Sequence, residues 1–170
     1  MAGARCGYRR EVSEVDDRQT RERLAAEVSR RARERGRTVA VAESLTGGMI
    51  AVDLAAAEAA SEWFRGSLVA YASETKHEVL GVPDGPVVSA EAAGAMARGI
   101  RRLLNADLAV AVTGAGGPGS QDGRDPGTVF LAVQDGDDVE VLRLDLDGSP
   151  EEICSATAEA ALRALVERLG

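Results

Sequence analysis

The chain has 170 residues, of which 45% are hydrophobic and 28% charged; this suits one folded domain and excludes a disordered chain. No apolar run reaches the roughly 18 to 20 residues of a membrane span, and MAGARCGYRREV lacks a secretory apolar stretch, so a cytoplasmic protein with no membrane partner is expected. The net charge of −8 is uneven: residues 1–37 hold 11 arginines against 7 acids, and the remainder holds 9 bases against 21 acids, which disfavours nucleic acid as a partner.

Residues 1–16 read as a tail and residues 17–170 as a single domain. Asp17 to Gly36 predicts a helix with Leu24, Val28 and Ala32 on one face and Gly36 as its stop. Arg37 to Ala42 predicts a strand, ESLTGG a tight turn, and Gly48 to Ala60 a helix. Trp63 to Ser73 predicts a second strand, followed by a short helix through Lys76 to Leu80 that Gly81 and Pro83 end. Ser89 caps a helix to about Leu104, and the apolar run Asp107 to Val112 is a strand buried on both faces. Gly114 to Gly127 is a long loop, and Thr128 to Val133 and Val139 to Leu146 form an antiparallel hairpin. Ser149, Pro150 and Glu152 open the last helix with a capping box, ahead of the stripe Ile153, Ala160, Leu162, Leu165 and Leu169. The alternation of strands and helices predicts a three-layer α/β/α sandwich with a mixed, mostly parallel sheet, and ligands beyond its strand ends.

Cys6 and Cys154 have no metal-ligand spacing and His77, read as a surface residue, is the only histidine, so neither a metal site nor a Ser-His-Asp triad is expected. Of the 20 basic residues, 19 are arginine and only Lys76 is lysine. A partly buried lysine can lose its proton and serve as a base, which arginine cannot; a lone surface lysine is the alternative. Tyr71 lies five residues before it, so a hydroxyl and an ammonium are available to relay a proton. Ser44 sits in the turn with Thr46, Gly47 and Gly48, where backbone N–H groups at a helix start can hold an oxyanion or a phosphate; the alternative is a plain helix cap.

The spacing Gly114, Gly116, Gly119 mimics a dinucleotide fingerprint, but Pro118, Asp122, Gly123 and Pro126 forbid the helix that fingerprint needs. The loop reads instead as backbone that approaches a substrate, with Thr113 at its mouth, or as a connector whose threonine satisfies a strand end.

The motifs AESLTGG, WFRGSLVAY, ETK, LGVP, VSAE, VTGAGGPG and GTVFLAV occur in an order and spacing that resemble the CinA C-terminal domain family over roughly residues 37–170. The resemblance implies an α/β/α sandwich and nicotinamide mononucleotide deamidase activity, which hydrolyses the carboxamide to nicotinate mononucleotide and ammonia without a metal or organic cofactor. It carries the nucleophile onto Ser44, the proton-transfer pair onto Lys76 and Tyr71, and the family's loop threonine or serine onto Thr113. The turn Thr46, Gly47, Gly48 is then expected to hold the oxyanion and the loop with Gly114, Gly116 and Gly117 to approach the nucleotide, or the two the other way round. A pyridine nucleotide is then the expected small-molecule partner.

Four departures from the family pattern bear on substrate: Leu45 where cysteine is common, GAGGP where many members have GIAGP, RDPGTV where KPVGTV is common, and a shortened stretch between Pro83 and Val88. Two rival readings stay open, a silent nucleotide-binding or interaction module and an amidase for another carboxamide. The family's larger members add a molybdopterin-binding-like domain, and pyrophosphatase activity associated with it is not expected from the sequence given. A homo-oligomer is expected, with the N-terminal helix as a candidate interface.

Overall fold

The run VAVAE forms strand β1 (Val39–Glu43) inside a five-stranded sheet, and all five of its residues are buried. The computed structural model describes residues 14–170. The expected tail lies outside the described residues except for its last three, which belong to helix α1 (Glu14–Glu34). There follow α2 (Met49–Ala55), α3 (Ala60–Trp63), β2 (Phe64–Val69), α4 (Ser73–Leu80), α5 (Ala90–Leu103), β3 (Leu108–Gly114), β4 (Thr128–Asp135), β5 (Asp138–Asp145) and α6 (Pro150–Arg168). The helix expected over residues 48–60 is two short ones, because the chain turns at Ala59, whose φ of 51° is left-handed.

The strand order is β2-β1-β3-β4-β5. β1 pairs in parallel with β2 and β3, while β3–β4 and β4–β5 are antiparallel. The sheet is therefore mixed, with β4 alone running against the other strands, because the chain reverses at both connections after β3.

Large and small residues alternate across the central strands. Val39, Val41, Val110, Val112 and Leu131 pack against α1, α2 and α6, whereas Ala40, Ala42, Ala109, Ala111 and Ala132 pack with α4 and α5 on the other face. That is a three-layer α/β/α sandwich. The alanine face lets α5 lie close to the sheet, and α5 also approaches α4 so closely that a Cβ on Gly99 would sit 2.2 Å from the Leu80 carbonyl oxygen. α6 opens with the predicted capping box, Ser149 N donating to Glu152 Oε2 at 2.7 Å and Glu152 N to Ser149 Oγ at 3.3 Å. In its stripe Ala158 and Ala161 are in the core and Ala160 only half-buried; in α1, Ala25 joins Val28 and Ala32 in the core, with Leu24 half-buried against it.

Because β1, β2 and β3 run in parallel, their C-terminal ends share one edge of the sheet. The chain leaves β1 through α2 and α3 on one face and leaves β2 through α4 and α5 on the other. The crevice between the ends of β1 and β3 is thus a topological switch point, where open α/β sheets bind their ligands.

Candidate active site

Ser44 follows β1 at this switch point. Its residue is buried to 5% exposure, yet its hydroxyl has no partner and is not among the sealed unpaired polar atoms, so it retains access to solvent. The preceding residue, Glu43, is fully buried and organises the turn. Its Oε2 accepts from Thr46 Oγ1 at 2.7 Å, Gly48 N at 3.1 Å and Ile50 N at 3.1 Å; its Oε1 accepts from Ala51 N at 2.9 Å and Ser67 Oγ at 3.2 Å. A carboxylate at the start of α2 satisfies N–H groups that have no partner within the helix, and its charge suits that end of the helix dipole.

This arrangement changes the expected oxyanion site. Of the three N–H groups in Thr46, Gly47 and Gly48, that of Gly47 donates to Ser44 O at 3.1 Å and that of Gly48 to Glu43. The N–H groups of Leu45 and Thr46 have no acceptor among the described residues, and they remain for a ligand. The turn is also held from α6, where Cys154 Sγ donates to Leu45 O at 3.0 Å; burial pushes this thiol above its ordinary pKa.

Lys76 lies on α4 and is completely buried; its side chain makes one hydrogen bond, from Nζ to the Tyr71 carbonyl at 3.2 Å. Burial holds its pKa below the ordinary lysine value, and the negative charge of Asp122 works against that shift. Tyr71 itself is 72% exposed, so its carbonyl, not its phenol, is what meets Lys76. No hydrogen bond joins Ser44 to Lys76 or to Tyr71. His77, expected on the surface, is half-buried with Nδ1 3.0 Å from Val82 O.

The long loop follows β3 at the same edge of the sheet. Thr113 is buried and donates from Oγ1 to Val87 O at 2.7 Å, while Asp122 Oδ2 accepts from Val87 N at 2.7 Å and Val88 N at 3.0 Å. The shortened stretch before Val88 is thereby pinned to β3 and the loop. A Cβ on Gly114 would lie 2.8 Å from Thr128 O, and one on Gly117 3.3 Å from Pro126 Cβ, so these two glycines allow close packing within the loop. A Cβ on Gly116 would lie 3.4 Å from Leu45 Cβ, which brings the loop against the Ser44 turn.

The structure thus puts Ser44, Thr46, Gly47 and Gly48 together at the end of β1, with Gly116 against the same turn, and links Thr113 and Asp122 through Val87. Glu43 and Asp122 carry much of this geometry, and sequence reasoning assigned neither to the site. For Glu43 the available signal was an acid ending an apolar strand just before a helix.

Comparison with known proteins agrees with this fold. The sequence profile of the CinA C-terminal domain matches residues 21–169. A CinA-like protein of Geobacter sulfurreducens is 43% identical over 148 residues, covering 84% of this chain and 36% of that protein. A putative competence-damage inducible protein of Geobacillus kaustophilus is 37% identical over 155 residues, covering 87% of this chain and 37% of that protein. The chain therefore spans little more than a third of these relatives. Among solved structures, a CinA superfamily protein from Klebsiella pneumoniae superposes with a TM-score of 0.84 at 32% identity, over 88% of this chain and 97% of that one. One from Escherichia coli gives 0.85 at 28% identity, over 98% and 99%. With profile, sequence and fold in agreement over nearly all of the described residues, the chain belongs to the CinA C-terminal domain family.

Proposed function

We propose that the protein is an amidohydrolase acting on the carboxamide of nicotinamide mononucleotide, with Ser44 as nucleophile. The observation that carries this reading is Lys76, the only lysine of the chain, kept fully buried with a single side-chain hydrogen bond. Burial favours the uncharged form of a lysine over the charged one, and an uncharged amine can take the proton of a serine hydroxyl.

In this reading Ser44 Oγ bonds to the carboxamide carbon as its proton passes to Lys76 Nζ. The carbon–nitrogen bond then breaks, and Lys76 returns the proton to the departing ammonia. Water displaces the serine in a second step, with Lys76 again taking and returning a proton, and nicotinate mononucleotide leaves. The N–H groups of Leu45 and Thr46 are the oxyanion donors. Tyr71 acts here through the carbonyl that orients Nζ. No metal takes part.

A nucleotide-binding module without turnover is the second reading, favoured by the lack of a hydrogen bond between Ser44 and Lys76, although such bonds often tighten only in the substrate complex. A carboxamide panel read by mass spectrometry, with calorimetry on the same compounds, separates the two. The proposal expects conversion of nicotinamide mononucleotide to the acid; binding of that nucleotide without any acid product is the outcome expected of a silent module, and conversion of a different carboxamide alone would move the assignment to that substrate.

A further inference from the structure

We infer that Arg124 recognises the substrate's phosphate, and that the phosphate lies against the glycine-rich loop rather than at the start of α2. This rests on the mononucleotide reading above and names a specificity residue for it. The start of α2 is the obvious anion site in the sequence, but Glu43 already occupies it: its carboxylate accepts from Gly48 N, Ile50 N and Ala51 N. A phosphate placed there would compete for the same donors and face a buried like charge.

The loop offers the alternative. Arg124 is the only basic residue between Gly114 and Gly127. Its backbone is fixed by a two-way pairing with Gln121, Gln121 N to Arg124 O at 3.1 Å and Arg124 N to Gln121 O at 2.9 Å. Its guanidinium carbon lies over the Phe130 ring, 5.9 Å from the centroid, and Phe130 pairs with Thr113 in the β3–β4 register. The charge is thereby held near the end of the sheet where the loop begins.

Arg124 has no carboxylate partner among the described residues, unlike Arg21, Arg37 and Arg168. A guanidinium packed on a ring face keeps its N–H edges available for paired hydrogen bonds to phosphate oxygens. Both acids of the loop are exposed: Asp122 is engaged with Val87 N and Val88 N, and the Asp125 carboxylate has no such partner among the described residues. Two other cations lie at this end and both are engaged: Lys76 is buried on the Tyr71 carbonyl, and Arg143, across from Phe130 in the β4–β5 register, is paired with Asp145 at 2.8 Å.

The test compares nicotinamide mononucleotide with nicotinamide riboside, which lacks the phosphate, by turnover and by calorimetry on wild type, R124A, R124K and D125N. The expected result is that R124A weakens the preference for the mononucleotide about tenfold, mainly through KM and Kd. R124K restores part of it, and D125N strengthens it by removing a nearby negative charge. A preference that R124A leaves unchanged, with wild type still active or binding, would overturn the assignment of Arg124 and leave the amidohydrolase reading standing. Absence of both turnover and binding in folded wild-type protein would overturn that reading, and this inference with it.

Discussion

Thr46 donates its hydroxyl hydrogen to Glu43 Oε2 at 2.7 Å, so the residue that ends β1 holds the residue that turns the chain into α2. Ser44 lies between them. All five groups around the Glu43 carboxylate are donors, so the site requires an acceptor on both oxygens.

Glu43→Gln replaces one acceptor with an amide donor that must face a backbone N–H or the Thr46 and Ser67 hydroxyls. The expected cost is about 3 kcal/mol in urea unfolding, given that a hydrogen bond to a charged group is worth about 1.5 to 3 kcal/mol. An unchanged midpoint would show that the turn does not depend on the carboxylate.

Lys76 makes a prediction about pH. Its folded pKa is lowered by burial, so between that value and the ordinary value of about 10.4 the unfolded chain binds more protons than the folded one. Stability contributed at this residue therefore rises with pH across that window and is lowest below it. Lys76→Met removes the rise and stabilises the protein at neutral pH by about 1 kcal/mol, as expected where a buried ionisable group is kept for function. Thermal or urea unfolding from neutral pH to pH 10 reads both effects; identical pH profiles for the two proteins would contradict them.

Arg21 and Asp53 form a largely buried pair at 2.8 Å that joins α1 to α2, and Arg21 also donates to Ser155 of α6 at 2.6 Å. Burial, the largest influence, holds the Asp53 pKa above its ordinary value, with Glu22 and Glu43 adding to the rise and Arg21 opposing it. Arg21→Ala, which strands the carboxylate, is expected to cost about 3 kcal/mol in urea unfolding at neutral pH, and Asp53→Asn less. Because the folded pKa is raised, the contribution of Asp53 to stability is greatest at acid pH and declines as pH rises through the raised value; Asp53→Asn removes that dependence.

Two glycines of α5 should respond in opposite directions to the same substitution. At Gly99 a Cβ would lie 2.2 Å from the Leu80 carbonyl oxygen, and Gly99→Ala is expected to destabilise by about 2 kcal/mol or more as α4 and α5 are forced apart. At Gly94 the nearest atom is the flexible end of Arg98 at 3.3 Å, and Gly94→Ala is expected to gain about 0.5 kcal/mol from helix propensity. Melting temperatures of the two variants test the packing of α5 on α4.

Much of this was legible in the sequence because it is locally encoded. The capping box of α6, the strand alternation and the solitary Lys76 are patterns within a few residues of one another. What escaped was tertiary. Glu43 looks like the first polar residue of a turn until α2 folds back over it, and Asp122 looks like a turn former because its partners Val87 and Val88 lie more than thirty residues away. The Thr46 to Gly48 N–H groups read as an open cradle for the same reason, since nothing local shows that Gly47 and Gly48 already have acceptors. The backbone contact between Tyr71 and Lys76 is local, but a side-chain pattern does not reveal a carbonyl as the partner.

The most direct measurement is ammonia release from nicotinamide mononucleotide, in EDTA, by wild type, Ser44→Ala and Lys76→Arg proteins of matched folded content. Release by wild type that both substitutions abolish is the predicted result, since Lys76→Arg keeps the charge but loses the capacity to accept a proton. Undiminished release by Ser44→Ala or Lys76→Arg, or none by folded wild type, would contradict the assignment of Ser44 and Lys76 to amide hydrolysis.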